Sequence, residues 1–252
     1  MSFDGAIGPL LEWVRLQETV LLPAPDTVAW MSLGSAAPLM SALRSGRREW
    51  LCPATRAVGF FRTSPKSPEN DTAWVAFGLA AQKAAVRGGF HRQTAAQFVG
   101  AMGEMVDNIY EHSDAPATGL AAFRADRRRF EFVVIDEGIG VLESLRSCRE
   151  FGDLSDHGDA LQLALTDGVS RHGAAAMRGH GFRPIFIGLA NLSGLLRFRS
   201  GDHALTIDGQ KINRMVAKTA QKVVVKGFIA SVSCRPQPKR PRHGSYRSSD
   251  PV

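Results

Sequence analysis

The chain has 252 residues, 44% of them apolar, and a formal net charge of +7, enough for one large domain with an appendage and an ordinary buried core. No apolar run reaches membrane-spanning length, and the opening MSFDGAIGPLLEWVR has neither a basic leader nor a small-residue cleavage site, so a soluble, cytoplasmic protein without a membrane role is expected. The three cysteines, Cys52, Cys148 and Cys234, are odd in number and widely spaced, which argues against a disulfide framework or a zinc ligand set.

Much of the charge lies in RPQPKRPRHGSYRSSDPV, residues 235–252, where five Arg or Lys residues face one Asp; that segment holds +4 of the +7 and leaves the body near +3. Rich in Pro and Ser and nearly devoid of large apolar side chains, it is expected to be a disordered basic tail. Few aromatics accompany its cations, which disfavours stacking on bases, so a nucleic acid is not the expected partner.

Along the chain, Leu10 to Leu21 has helical spacing, TVAWMSL at 27–33 reads as a strand, and SAAPLMSALRSG reads as a short helix closed by a glycine. Together they suggest a small N-terminal α/β module over residues 1–70 without assignable chemistry. TSPKSPEND, Thr63 to Asp71, has two prolines in a polar run and reads as a linker or long loop. AWVAFGLAAQKAAVRGGF is an Ala-rich helix stopped by Gly88 and Gly89. A second helix is expected from near Thr94, where TAAQ has the form of a capping box, to about His112. On it, Phe98, Ala101, Met102, Met105 and Ile109 repeat at the spacing of a buried face.

GLAAFRA and RFEFVVID follow as two strands of a hairpin with the charged turn DRRR. From Val141 to His180 the chain is polar and broken by glycines, with one helical stretch, ALQLALTDG. FRPIFIGLANLSG then reads as a helix, LLRFRSG and HALTIDG as a second hairpin, and KVVVKGFIASVSC as a last strand or strand pair. Blocks of helices and strands without βαβ alternation predict a two-layer α/β sandwich, its helices on one face of a mostly antiparallel mixed sheet.

Three stretches could carry chemistry. In EMVDNIYEH, Glu104, Asn108 and the Glu111–His112 pair recur at i, i+4 and i+7/i+8, on one side of the helix. An amide can offer its carbonyl oxygen to a hard cation such as magnesium, and a carboxylate one turn earlier can orient or deprotonate a water aimed at phosphorus. Alone, this set reads first as the solvated face of an amphipathic helix. In VVIDEGIGV, Asp136 at a strand end can accept a hydrogen bond from an exocyclic amine, while Gly138 and Gly140 let the backbone turn sharply and approach a flat ligand. D-x-G-x-G is equally a common turn. In MRGHGF, Gly179 and Gly181 precede an apolar helix-like run and could present N–H groups to phosphate, with Arg171, His172 and Arg178 as nearby cations. A plain helix-start loop has the same composition.

In their order and spacing the three stretches resemble the boxes of the ATP-binding domain shared by DNA gyrase, a class of heat-shock chaperones, histidine kinases and a mismatch-repair protein, the Bergerat or GHKL fold. EMVDNIYEH looks like its N box, DEGIG like its G1 box and RGHGF like a reduced G2 box, over roughly Ala73 to Cys234. The resemblance implies a histidine kinase-like ATP-binding domain (71–234), which stands between the N-terminal module (1–70) and the basic tail (235–252). It implies ATP and magnesium as cofactors. Asn108 would hold the metal, Glu104 would activate water if ATP is hydrolysed, Asp136 would bind the adenine amino group, and Gly138 and Gly140 would shape the pocket. Arg178, Gly179 and Gly181 would close on the phosphates, and residues 141–178 would form the mobile ATP lid.

The chain also departs from that family. No phosphoacceptor-histidine helix and no transducer domain with a phosphate-sensing lysine are recognisable, and Phe228 follows Gly227 where many members carry Gly-Thr. Stand-alone members of this fold include anti-sigma factor serine kinases and small bacterial ATP-binding regulators, and the chain most resembles the latter group. The implied function is magnesium-dependent ATP binding, with slow hydrolysis or phosphoryl transfer to a protein serine used in regulation. The alternative is a non-catalytic interaction module, gated by nucleotide or independent of it. A protein partner is expected at the N-terminal module, and the sequence leaves open whether two copies pair as a homodimer.

Overall fold

The structure, a computed structural model, describes residues 36–66, 71–165, 189, 194–209 and 218–236. The predicted helix at 10–21, the predicted strand at 27–33, the basic tail beyond Pro236 and all but Leu189 and Gly194 of the predicted helix FRPIFIGLANLSG lie outside the described residues.

Helix α1 (Ala36–Arg44) leads into two short strands, β1 (Glu49–Leu51) and β2 (Val58–Arg62). Two long helices follow. Helix α2 (Thr72–Arg87) is capped by Asp71, whose side chain accepts the Ala73 N–H, and ends at Gly88, as its Ala-rich spacing and glycine pair predict. Helix α3 (Arg92–His112) begins earlier than expected: its N-cap is His91, which accepts the Gln93 N–H, so Thr94 lies inside the first turn and the TAAQ capping box is not formed. Strands β3 (Leu120–Asp126) and β4 (Arg129–Asp136) make the predicted hairpin, with Arg128 in its tight turn at a φ of 69°.

A short helix α4 (Gly140–Arg146) and helix α5 (His157–Ala164) precede the last two strands. LLRFRSG and HALTIDG do not form a hairpin. They are one continuous strand β5 (Leu195–Asp208), in which Gly201, at a φ of 55°, sits in a bulge instead of reversing the chain. Strand β6 (Lys218–Cys234) pairs with it over most of its length.

The six strands form one sheet in the order β1-β2-β3-β4-β6-β5. Among the described residues every pairing is antiparallel, where a mostly antiparallel mixed sheet is expected. Strands before and after residue 70 thus share one sheet.

Because successive side chains of a strand point to opposite faces, the buried residues sort into two clusters. Phe61, Ala121, Phe123, Phe130, Phe132, Val134 and Ala230 lie on the face covered by α2 and α3. Phe60, Ala122, Val133, Ile135 and Ile229 lie on the other, where Leu39 and Ala42 of α1 pack. Helices therefore cover both faces, not one, because both faces of the central strands are apolar. The larger cluster is aromatic. Phe77 touches Phe61, Trp74 and Phe123, while Phe98 stacks on Phe130 at 5.0 Å. Small residues on α2 (Gly78, Ala80, Ala81, Ala84, Ala85) let it approach closely. Among the described residues no helix is long and apolar enough to cross a membrane.

Candidate functional site

The two sequence stretches that suggest a nucleotide site meet at one end of the sheet. Helix α3 buries Phe98, Ala101, Met102, Met105, Val106 and Ile109, which fixes its rotation. A helix turns about 100° per residue, so Asn108 and His112 fall at the edge of the buried sector and are half-buried, while Glu104 and Glu111 fall outside it and are exposed. The side chains of Glu104 and Asn108 make no hydrogen bond or ion pair with any described residue. A half-buried amide at a helix edge offers a carbonyl oxygen in a partly desolvated position, and the exposed carboxylate one turn earlier meets water directly.

Asp136 closes β4 and is 4% exposed. Its Oδ1 accepts the N–H of Gly138 at 2.8 Å, a tight aspartate turn that aims the chain back over the helix end. Two hydroxyl groups, of Thr118 and Ser200, and the Ser113 carbonyl hold the rest of the turn. Thr118 Oγ1 accepts the Glu137 N–H at 2.9 Å. Ser113, the C-cap of α3, donates its hydroxyl to Ile109 O at 2.6 Å and accepts the Ala115 N–H, while its carbonyl accepts the Ile139 N–H at 2.9 Å. Ser200 of β5 accepts the Val141 N–H at 2.9 Å and donates to Gly227 O at 3.0 Å. Every backbone N–H from 137 to 139, and that of 141, therefore has a defined acceptor.

The glycines have separate reasons. A side chain at Gly138 would run into the backbone of Ser113, so this glycine is what lets the turn sit on the end of α3. Gly140 and Gly227 have φ values of 77° and 75°, a region L side chains rarely adopt, and a side chain at Gly227 would meet Asp136. Gly227 therefore brings the last long strand against the buried aspartate. Phe228, paired with Asp136 across the sheet, stacks on Phe198 and contributes no hydroxyl there.

The structure thus brings the turn carrying Asp136, Gly138 and Gly140 to the end of the helix carrying Asn108. Glu104 stands one turn further back on the helix surface. Arg178, Gly179 and Gly181 lie outside the described residues. Sequence reasoning misses Ser113, Thr118 and Ser200; the signals available are a Ser directly after the helical run, a Thr before a strand and a Ser before a glycine.

Acidic side chains crowd this end: Asp107, Glu111 and Asp114 are exposed and Glu137 is half-buried. Among the described residues no cluster of His, Cys, Asp and Glu is suited to hold a metal ion by itself.

Comparison of the chain with models of protein families, with characterised proteins and with solved structures finds no match.

Proposed function

We propose that this protein binds ATP together with magnesium in a GHKL-type site formed by α3 and the turn after β4. The observation that carries the reading is the seating of the D-E-G-I-G turn on the end of the helix bearing Asn108. A turn that leaves a strand need not rest on a helix earlier in the chain. Here Gly138 closely approaches Ser113, whose carbonyl accepts the Ile139 N–H at 2.9 Å.

In this reading the Asp136 carboxylate accepts a hydrogen bond from the exocyclic amine of adenine, its orientation set by the Gly138 N–H. Asn108 would offer its amide oxygen to magnesium, which would offset the charge of the phosphates themselves. Phosphoryl transfer needs positioning, charge neutralisation and an oriented nucleophile. Glu104 is the group available for the last of these, as the base that activates a water or a protein serine.

A second reading is favoured by one observation. Glu104 is exposed and no described residue holds its side chain in place, whereas catalytic bases work from fixed positions. The same residues then serve a non-catalytic, nucleotide-gated interaction module.

Calorimetric titration with ATP, with and without magnesium, tests the site. Binding is expected with magnesium and is expected to be lost in Asp136→Asn and in Asn108→Ala, with the circular dichroism spectrum unchanged. If both variants bind like the parent, the site assignment fails. A phosphate-release assay on Glu104→Ala then separates the two readings. Lost turnover with retained binding supports catalysis, and absence of turnover in the parent supports the gated module.

A further inference from the structure

The outer face of α2 carries a surface unrelated to the turn at Asp136. Val75, Leu79 and Val86 are 54%, 50% and 41% exposed, although the helix buries Phe77, Ala81, Ala84 and Ala85 against the sheet. Leu79 and Lys83 stand one turn apart on one stripe with Val75 and Val86, so the exposed residues line up. Between α2 and the β1–β2 turn lies a groove of about 290 Å³ lined by Arg56, Ala76, Leu79, Ala80, Lys83 and Arg87. Its floor is aliphatic and its rim is cationic.

The groove is held open by the protein itself. The Arg87 guanidinium donates to Thr55 O and Arg56 O at 3.3 and 3.0 Å, tying the β1–β2 turn to the helix. Arg56 has a φ of 49°, a conformation uncommon for a residue with a side chain, and backbone held that way needs the surroundings to impose it. Exposed Arg127 and Arg128 extend the positive charge, since the Arg128 N–H donates to Gly88 O just beyond the helix. None of Arg56, Lys83, Arg87, Arg127 and Arg128 is ion-paired with a described residue, and the nearby Asp126 pairs with Arg124.

We infer that this face of α2 is a docking surface for an acidic amphipathic helix of a protein partner. The stripe from Val75 to Arg87 runs about 18 Å, long enough to seat about three turns of a helix. Apolar side chains of the partner would fill the aliphatic floor and its carboxylates would meet the cationic rim. A second copy of this chain fits poorly, because an isologous contact would set these cations against themselves. An anionic membrane surface fits less well, because the large apolar residues exposed among the described ones are all Val, Leu or Ile, without the aromatics favoured at a membrane interface. The inference does not depend on nucleotide binding, since the groove lies at the sheet end opposite Asp136.

The test uses the full-length protein and three probes: a display library of amphipathic helical peptides with acidic flanks, a matched library with lysine flanks, and vesicles of phosphatidylcholine and phosphatidylserine. The acidic pool is expected to be enriched. The affinity of its best member is expected to fall about tenfold in Lys83→Glu and in Leu79→Ser, both exposed positions, and to weaken with added salt. Val224→Ser, on an exposed part of β6, serves as the control and should leave affinity unchanged. Equal enrichment of both pools, insensitivity to Lys83→Glu and Leu79→Ser, binding to vesicles in place of peptide, or a dimer dissociated by Leu79→Ser would each overturn the proposal.

Discussion

Replacing Gly138 by Ala tests how tightly the turn after β4 is seated. The added Cβ would stand 2.5 Å from the Ser113 Cβ and 2.7 Å from its carbonyl carbon, with the carbonyl oxygen nearer still. These are mostly backbone atoms at a helix end and cannot rotate aside. Reaching the ordinary contact distance of 3.4 Å requires the turn to lift by roughly 1 Å, which stretches the 2.9 Å bond from the Ile139 N–H to Ser113 O beyond hydrogen-bonding range. Overpacking of this kind costs about 1–3 kcal/mol and the lost bond about 1 kcal/mol, so roughly 2–4 kcal/mol in all. For a chain of this length that lowers Tm by roughly 5–15 °C. Gly100 and Gly103 on α3 face open space, and Gly100→Ala is expected to raise stability by about 0.5–1 kcal/mol. Thermal melts followed by far-UV circular dichroism measure both. A Gly138→Ala melt indistinguishable from the parent would show that the turn is not seated on Ser113.

Asp71→Ala removes the N-cap of α2 and its ion pair with Arg48, and is expected to cost about 1 kcal/mol in a denaturant titration. Burial works to raise the Asp71 pKa, but the Ala73 N–H and Arg48 outweigh it and hold the carboxyl below its ordinary value. The stabilisation is therefore present above that ordinary value and lost as pH falls through the folded pKa, so the deficit of the variant should shrink in acid. The Thr55 hydroxyl, with the N–H groups of Thr55, Ala54 and Arg56, lowers the Cys52 thiol pKa against the opposing effect of burial, whereas burial pushes Cys234 up to about 12. A thiol reagent at neutral pH should label Cys52 in the folded protein and leave Cys234 intact, and Thr55→Ala should slow labelling at Cys52, as read by mass spectrometry.

Local patterns make several elements legible. The small-residue spacing of α2 with the Gly88–Gly89 stop and the β3–β4 hairpin around Arg128 are written in contiguous residues, and the structure has them as expected. Strand β2 is not legible, because Phe60 and Phe61 are both fully buried on opposite faces and leave no alternation to read. The bulge at Gly201 reads as a turn because a glycine beside a polar residue signals both. At the candidate site, Asp136 and the glycines stand in a recognisable order. The groups that hold them, Thr118 against Glu137 and Ser200 against Val141 and Gly227, come from distant segments, and a single sequence does not pair them.

The position of β6 between β4 and β5 has a consequence for synthesis. Strand β4 is complete at residue 136, but the stretch of β6 that covers its free edge runs from Phe228 to Cys234. At about 5–20 residues per second, a ribosome leaves that edge open for roughly 5–20 s. During that interval Phe132, Val133, Val134 and Ile135 form an apolar strand with unpaired backbone groups, the kind of edge that recruits other chains. Nascent chains stalled before residue 228 would therefore be the aggregation-prone form of this protein, and the most in need of a chaperone.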